Sequence, residues 1–148
     1  MITFRLVTAS TIESIGCLMK AFYAIDNYPF DSTKTTTLWK EFIENEHLGK
    51  AWLICNNQEA VGYIILTFVF SFEYQGKIAF LDELFVIETA RGKGIGTKAI
   101  DFIKGESHKL SLKLIYLEVE PHNTKAQKLY LGSGFEMHNR KLMRLKTE

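Results

Sequence analysis

Seventeen residues in the middle of the chain constrain it most. Phe80-Leu81-Asp82-Glu83-Leu84-Phe85-Val86-Ile87 is an apolar, strand-like run interrupted by two adjacent acids. A short polar link then carries the chain into Arg91-Gly92-Lys93-Gly94-Ile95-Gly96. From Ile95 the apolar spacing becomes helical to about His108, with Ile95, Ala99, Phe102 and Ile103 on one face and Lys98, Asp101 and Lys104 on others. A strand that passes through a glycine-rich turn into a helix is built to hold an anion. Glycines let successive backbone N–H groups turn toward one ligand without Cβ obstruction, and the unpaired donors of the helix start favour negative charge there. Arg91 and Lys93 add two cations.

The commoner phosphate loops do not fit. A Walker loop requires four residues between its first glycine and a Gly-Lys-Ser/Thr, and a dinucleotide fingerprint requires glycine where Thr97 stands.

The elements around this segment follow from periodicity. Ile2 to Val7 alternates as a first strand. Thr8 to Thr11 can cap a helix over about Ile12 to Phe22, with Ile12, Ile15, Leu18, Met19 and Phe22 at helical spacing. Tyr23 to Thr37 reads as a polar and aromatic connector whose threonine cluster caps a second helix over Leu38 to Glu46. Ala51 to Cys55 and Ala60 to Phe72 are strand-rich about the turn signal Asn56-Asn57-Gln58-Glu59. Tyr74 to Lys77 turns the chain into a strand from Ile78 to Ile87. Leu114 to Val119 is a short fifth strand, Asn123 to Gly132 a helix, and Lys141 to Leu145 a final strand. A meander followed by strand-helix-strand units implies a mixed sheet covered by helices.

With 148 residues, 47% of them hydrophobic, the chain has the length and apolar content of a single domain over 1–148. A net charge of +1 leaves no electrostatic footprint for nucleic acid or an anionic membrane surface. The first residues lack a basic start followed by an apolar stretch, and no segment approaches the ~20 apolar residues of a membrane helix, so a cytoplasmic protein is expected. Cys17 and Cys55 read as reduced packing residues in apolar surroundings. No spacing suggests a metal site. His47, His108 and His138 read as surface residues, and only His122 adjoins a motif.

That motif is Leu117-Glu118-Val119-Glu120-Pro121-His122-Asn123-Thr124-Lys125-Ala126-Gln127-Lys128-Leu129-Tyr130-Leu131-Gly132-Ser133-Gly134-Phe135. Together with Arg91, Gly94 and Gly96, which match the pattern Arg/Gln-x-x-Gly-x-Gly/Ala, it resembles the GNAT superfamily of acyl-CoA-dependent N-acyltransferases. Asn123, Ala126, Leu129, Tyr130, Gly134 and Phe135 stand at that family's spacing. The resemblance covers about Leu53 to Leu145. It implies an α/β fold of the α+β kind, with a mixed, mostly antiparallel sheet splayed between its fourth and fifth strands and flanked by helices. It also implies acetyl-CoA as cosubstrate and no metal. The pantetheine arm would lie against the backbone of Leu84, Phe85 and Val86. The pyrophosphate would lie on Arg91, Gly92, Lys93, Gly94, Ile95, Gly96 and Thr97, and Asn123, Ala126 and Tyr130 would complete the cofactor site.

The reaction so implied is direct attack of an amine on the thioester. An alkyl amine has a pKa of ~10, so a carboxylate helps to remove its proton. Asp82, Glu83 and Glu120 are the candidates. Because neighbouring strand residues point to opposite faces, one of Asp82 and Glu83 faces the cleft, and Glu83 is preferred. Tyr130 is the candidate acid for the departing thiolate, as its counterpart in the family is thought to be. Aromatics beside acids, namely Tyr23, Asp26, Tyr28, Phe30 and Asp31, with Phe72 and Tyr74 on the later hairpin, can receive a cationic amine by charge and cation–π contact. Resemblance of Gly62 to Gly96 to the diamine and polyamine branch points to a small polyamine-like or amino-acid-like acceptor. A protein N-terminal or lysyl acetyltransferase and a non-catalytic acyl-CoA-binding module remain alternatives. Relatives are often dimers, and the Met137 to Leu145 segment is compatible with a homodimer.

Overall fold

The fourth strand of the sheet, β4, runs Gly76–Val86 and pairs with β3 (Glu59–Ser71) on one edge along nearly its whole length. In a computed structural model describing residues 1–148, it belongs to the larger of two compact units, 1–118; the smaller comprises 119–148. In the larger unit the sheet order is β1-β2-β3-β4-β5, with β1 at Ile2–Leu6, β2 at Gly49–Asn56 and β5 at Ile115–Tyr116. The first three pairings are antiparallel. The last is parallel and consists of Ala79 opposite Ile115 and Phe80 opposite Tyr116. Beyond Phe80, β4 continues for six residues that β5 does not pair with.

Two layers of helix cover this sheet. Helix α1 (Ile12–Ile25) follows a Thr8–Thr11 capping box and buries Ile12, Ile15, Leu18 and Met19, four of the five periodic residues read from the sequence, while the fifth, Phe22, is partly buried against the same core. These pack with Trp39 of α2 (Ser32–Glu44), Ala51, Leu53 and Cys55 of β2, Tyr63 and Ile65 of β3 and Phe85 of β4. The Trp39 indole N–H donates to the Met19 sulfur at 3.1 Å, tying the two helices together. Helix α3 (Ile95–Lys109) buries Ile95, Ala99, Ile100 and Ile103, and its Phe102 stacks on Phe4 at 4.2 Å and meets Trp52 edge-on. No helix is long and apolar enough to cross a membrane.

Helix α2 starts at Ser32, six residues before the expected position. Asp31 is its N-cap, accepting from the Lys34 N–H at 3.1 Å, and the Thr36 and Thr37 hydroxyls donate back to the Ser32 and Thr33 carbonyls. A threonine cluster that reads as a cap is thus satisfied inside a helix. The connector shrinks to residues 26–31, and Tyr23 lies in the last turns of α1. Cys17 is exposed on α1, contrary to expectation, whereas Cys55 is buried.

In the smaller unit, α4 spans Thr124–Gly132 with Asn123 as its N-cap. The strand expected over Lys141 to Leu145 does not form, and Leu142, Met143 and Leu145 are exposed. Within 119–148 there is no second strand for it to pair with, and a lone strand leaves its backbone groups without partners. The fifth strand is likewise two residues long, not the six expected over Leu114 to Val119.

Candidate active site

The register of β4 breaks at the two acids. Glu83 lies opposite Ile65, but Leu81 lies opposite Leu66, so Asp82 is an extra residue, a β-bulge. In an unbroken strand Leu81 and Glu83 would share a face. The bulge separates them: Glu83 follows Ile65 onto the face covered by α1 and α2, while Asp82 stays exposed on the bulge. Simple alternation, which predicted that one of the two acids turns inward, reaches the preferred residue through a geometry it did not foresee.

The bulge also reassigns backbone groups. The Ile87 N–H donates to the Val61 carbonyl at 2.8 Å, so Ile87 and, two residues back, Phe85 direct their backbone toward β3. Leu84 and Val86 therefore direct theirs to the other edge, the part of β4 that β5 leaves unpaired. Phe85, expected beside them as a backbone contact, instead faces the β3 ladder with its main chain and the α1-side core with its ring.

Two phenols converge on Glu83. Tyr23 of α1 donates to Oε2 at 2.8 Å, and Tyr63 of β3 donates to Oε1 at 2.7 Å. Tyr63 is 0% exposed, and its ring is held against Phe22 and Phe85, while the Tyr23 ring meets Phe30 edge-on at 5.6 Å. Burial pushes the Glu83 carboxyl up; the two phenol bonds pull it back and the Asp82 charge pushes it up again, leaving it raised. Burial and then the Glu83 charge raise both phenols, so they remain protonated donors. Asp82 is exposed as a residue, but partial desolvation of its carboxyl raises it as well. A carboxylate with one phenol on each oxygen retains two accepting positions, and a raised pKa makes it a stronger base than a solvated one.

A stability prediction follows. An acid whose folded pKa lies above its unfolded value costs stability when ionised. That cost is absent below the ordinary carboxylate range and grows as pH rises through the folded value. Glu83→Gln is therefore expected to melt higher than the wild type at pH 7–8, with the gap closing toward pH 4. Each unit of elevation is worth about 1.4 kcal/mol, or roughly 3–6 °C in Tm. Calorimetric melting across that range checks it; a gap independent of pH would mean that the carboxyl is not raised.

Past the open edge of β4 comes the glycine turn. Gly92 has φ +78° and Gly94, the N-cap of α3, has φ +76°, left-handed conformations that favour glycine. No protein acceptor meets the N–H groups of residues 92 to 97, so unpaired donors and the positive end of a 15-residue helix dipole lie together at this turn. Arg91 does not simply add charge. Its Nε–H donates to the Val86 carbonyl at 2.8 Å, and its guanidinium lies 5.8 Å from the centre of the Phe85 ring, clipping the turn to the strand end. Lys93 and Thr97 are exposed.

In the smaller unit the Asn123 side chain accepts from the Ala126 N–H at 3.1 Å, capping α4. Gln127 Nε2 donates to the Glu120 and Pro121 carbonyls, fixing the approach to α4. The Glu120 side chain and His122 are exposed. Tyr130 is partly buried and meets Phe135 edge-on at 5.6 Å, with the Phe135 N–H returning to the Tyr130 carbonyl. Burial raises its phenol, which stays protonated at neutral pH.

The sequence profile of the acetyltransferase (GNAT) family matches residues 18–135, which include the bulge, the glycine turn and Tyr130. The chain belongs to this family. It is 35% identical over 132 residues to the Bacillus subtilis (strain 168) protein named uncharacterized N-acetyltransferase YhfO, covering 89% of this chain and 88% of that one. Among solved structures, the integron cassette protein HFX_CASS3 from the mobile metagenome of Cole Harbour Salt Marsh superposes with a TM-score of 0.89 at 30% identity. That match covers 98% of this chain and 90% of the other. The aminoglycoside N-acetyltransferase AAC(6')-Iy, solved in complex with CoA, superposes with a TM-score of 0.84 over 99% and 95% of the two chains; at 17% identity this likeness shows the fold alone.

The protein is thus an acyl-CoA-dependent N-acetyltransferase of GNAT fold. Of the residues read as acceptor contacts in this GNAT chain, Tyr23 and Phe30 gather near Glu83. Asp31 is a helix cap, and Asp26 and Tyr28 are exposed on the connector. Phe72 is 90% exposed beside Phe70, and the Tyr74 phenol accepts from Tyr116 at 3.0 Å. Both belong to the turn at the far end of β4, about 20 Å or more from Glu83 by strand rise. Tyr63 is the partner of Glu83 that sequence reasoning missed. The signal was a single hydroxyl within the apolar run Gly62 to Leu66, because a buried tyrosine needs a partner for its O–H.

Proposed function

We propose that this N-acetyltransferase transfers an acetyl group from acetyl-CoA to a primary amine by direct attack in a ternary complex, with 1–148 working as one domain. The observation that carries this is the Glu83 carboxylate, hydrogen-bonded by two phenols and placed next to the bulge of the strand that leads into the glycine turn. The residues present fit the cosubstrate. The donors of residues 92 to 97 suit a pyrophosphate, and the outward backbone of Leu84 and Val86 suits an extended amide-bearing arm, as an added strand would pair. When bound, acetyl-CoA supplies the activated acyl group.

The chain's own residues handle the protons. Glu83 accepts a proton from the amine, directly or through water, and its raised pKa brings it closer to that of the group it deprotonates. Tyr130, protonated at working pH, holds a proton for the sulfur. Tyr23 and Phe30 offer ring faces beside a carboxylate, which suits a small polyamine-like or amino-acid-like acceptor that arrives as a cation.

The test is release of free CoA thiol from acetyl-CoA across polyamines, amino acids, aminoglycosides and short peptides. Release with polyamines or amino acids is the expected result. Release with peptides alone would overturn the small-acceptor reading. Tight acetyl-CoA binding without release for any amine would overturn the catalytic one.

A further inference from the structure

We infer that Tyr63 and Tyr23 are positioning residues for the acetyl transfer, holding Glu83 as an aimed carboxylate through one phenol on each oxygen. The inference rests on the reading of Glu83 as the base and explains how a base so placed can function. An ionised carboxylate on a partly buried strand face is disfavoured unless donors replace the water it has lost. The two replacements come from separate elements, the last turns of α1 and the middle of β3, at 2.8 and 2.7 Å. A carboxylate bonded at one oxygen can swing about its last side-chain torsion. Bonded at both, it presents its remaining lone pairs in one direction.

Tyr63 is fully buried among Phe22 and Phe85, so it reaches the reaction only through Glu83. Tyr23 is partly exposed beside Phe30 at the end of α1, so it links the same carboxylate to the connector 26–31. The groups facing Glu83 are Tyr23 from α1, Tyr63 from β3 and Asp82 from β4 itself. The two phenols stabilise the ionised form and Asp82 opposes it. Removing either phenol therefore has a definite sign: the carboxyl should bind its proton more tightly.

The experiment titrates the Glu83 carboxyl by carbon-13 NMR in protein labelled at glutamate Cδ, the resonance being identified by its loss in Glu83→Gln. In Tyr63→Phe and in Tyr23→Phe the titration midpoint should rise by about 1–2 pH units, the value of one hydrogen bond to a charged group. The acidic limb of kcat/KM, with the acceptor found by thiol release, should rise with it, while KM for acetyl-CoA holds. A midpoint and limb that stay fixed or fall in both variants, with Glu83→Gln inactive, would overturn the positioning role alone. A Glu83→Gln enzyme that keeps its kcat/KM would overturn the base assignment instead. If Tyr63→Phe does not fold, Tyr23→Phe, nearer the surface, decides the matter by itself.

Discussion

Gly94→Val is expected to fold and to lose acetyl-CoA affinity by roughly 100-fold or more. Gly94 has φ +76°, and a Cβ added there would meet no protein atom within 4 Å, so the cost does not come from a clash inside the protein. It comes from the backbone. Left-handed conformation costs an L-residue about 1–2 kcal/mol, and a β-branched one more, so the turn would relax away from the geometry that aligns the N–H groups of residues 92 to 97. The new side chain would also stand in the open space where the anion approaches. A hydrogen bond to a charged group contributes about 1.5–3 kcal/mol, so the loss of two corresponds to roughly 10²–10⁴ in Kd. Calorimetric titration with acetyl-CoA measures this directly. Gly105→Ala is the control, since it also adds a Cβ in open space but mid-helix in α3, and it should leave Kd unchanged while adding up to about 1 kcal/mol of stability. Normal binding by a folded Gly94→Val would mean that the pyrophosphate is held elsewhere.

The strand, glycine turn and helix were legible because they are local. Three glycines, a preceding strand and a following helix specify one another within 17 residues, and the family spacing from Asn123 to Phe135 is equally contiguous. The periodic face of α1 was legible for the same reason. What the sequence hid depends on partners distant in the chain. The Asp82 bulge exists only relative to the register of β3, since two residues of β4 face one step of its partner. The Tyr63–Glu83–Tyr23 contacts join residues 20 and 60 positions apart. The threonines of α2 mislead for a different reason, because the same hydroxyl that caps a helix start can bond back to a carbonyl one turn earlier, and only the chain's path decides which. Local chemistry thus pointed to a glycine turn suited to an anion, while tertiary register decided which carboxylate turns inward and how it is held.

Tyr130→Phe should lower turnover by about 10²-fold or more while acetyl-CoA affinity stays within about 3-fold, the range expected when one proton-transfer group is removed. The substitution isolates the hydroxyl. The edge-on contact with Phe135 is made by the ring, and the helix end is closed by the Tyr130 carbonyl, which accepts from the Ser133 and Phe135 N–H groups; phenylalanine preserves both. The phenol is raised by burial, so it holds its proton through the working range and cannot itself produce an activity loss near neutral pH. A thiol resembling that of cysteine has a pKa of ~8.5, so a thiolate is already a fair leaving group at pH 7, which places the expected loss at the lower end of the general-acid range. Thiol release at saturating acetyl-CoA gives kcat, and titration gives Kd. Lost affinity or a lower Tm with little change in turnover would make Tyr130 a packing residue of α4. A kcat loss with binding and melting preserved would place the proton for the sulfur on this hydroxyl. In that case Tyr130→Phe and Glu83→Gln should also fail differently, the first leaving the acidic limb of the pH profile in place and the second removing it.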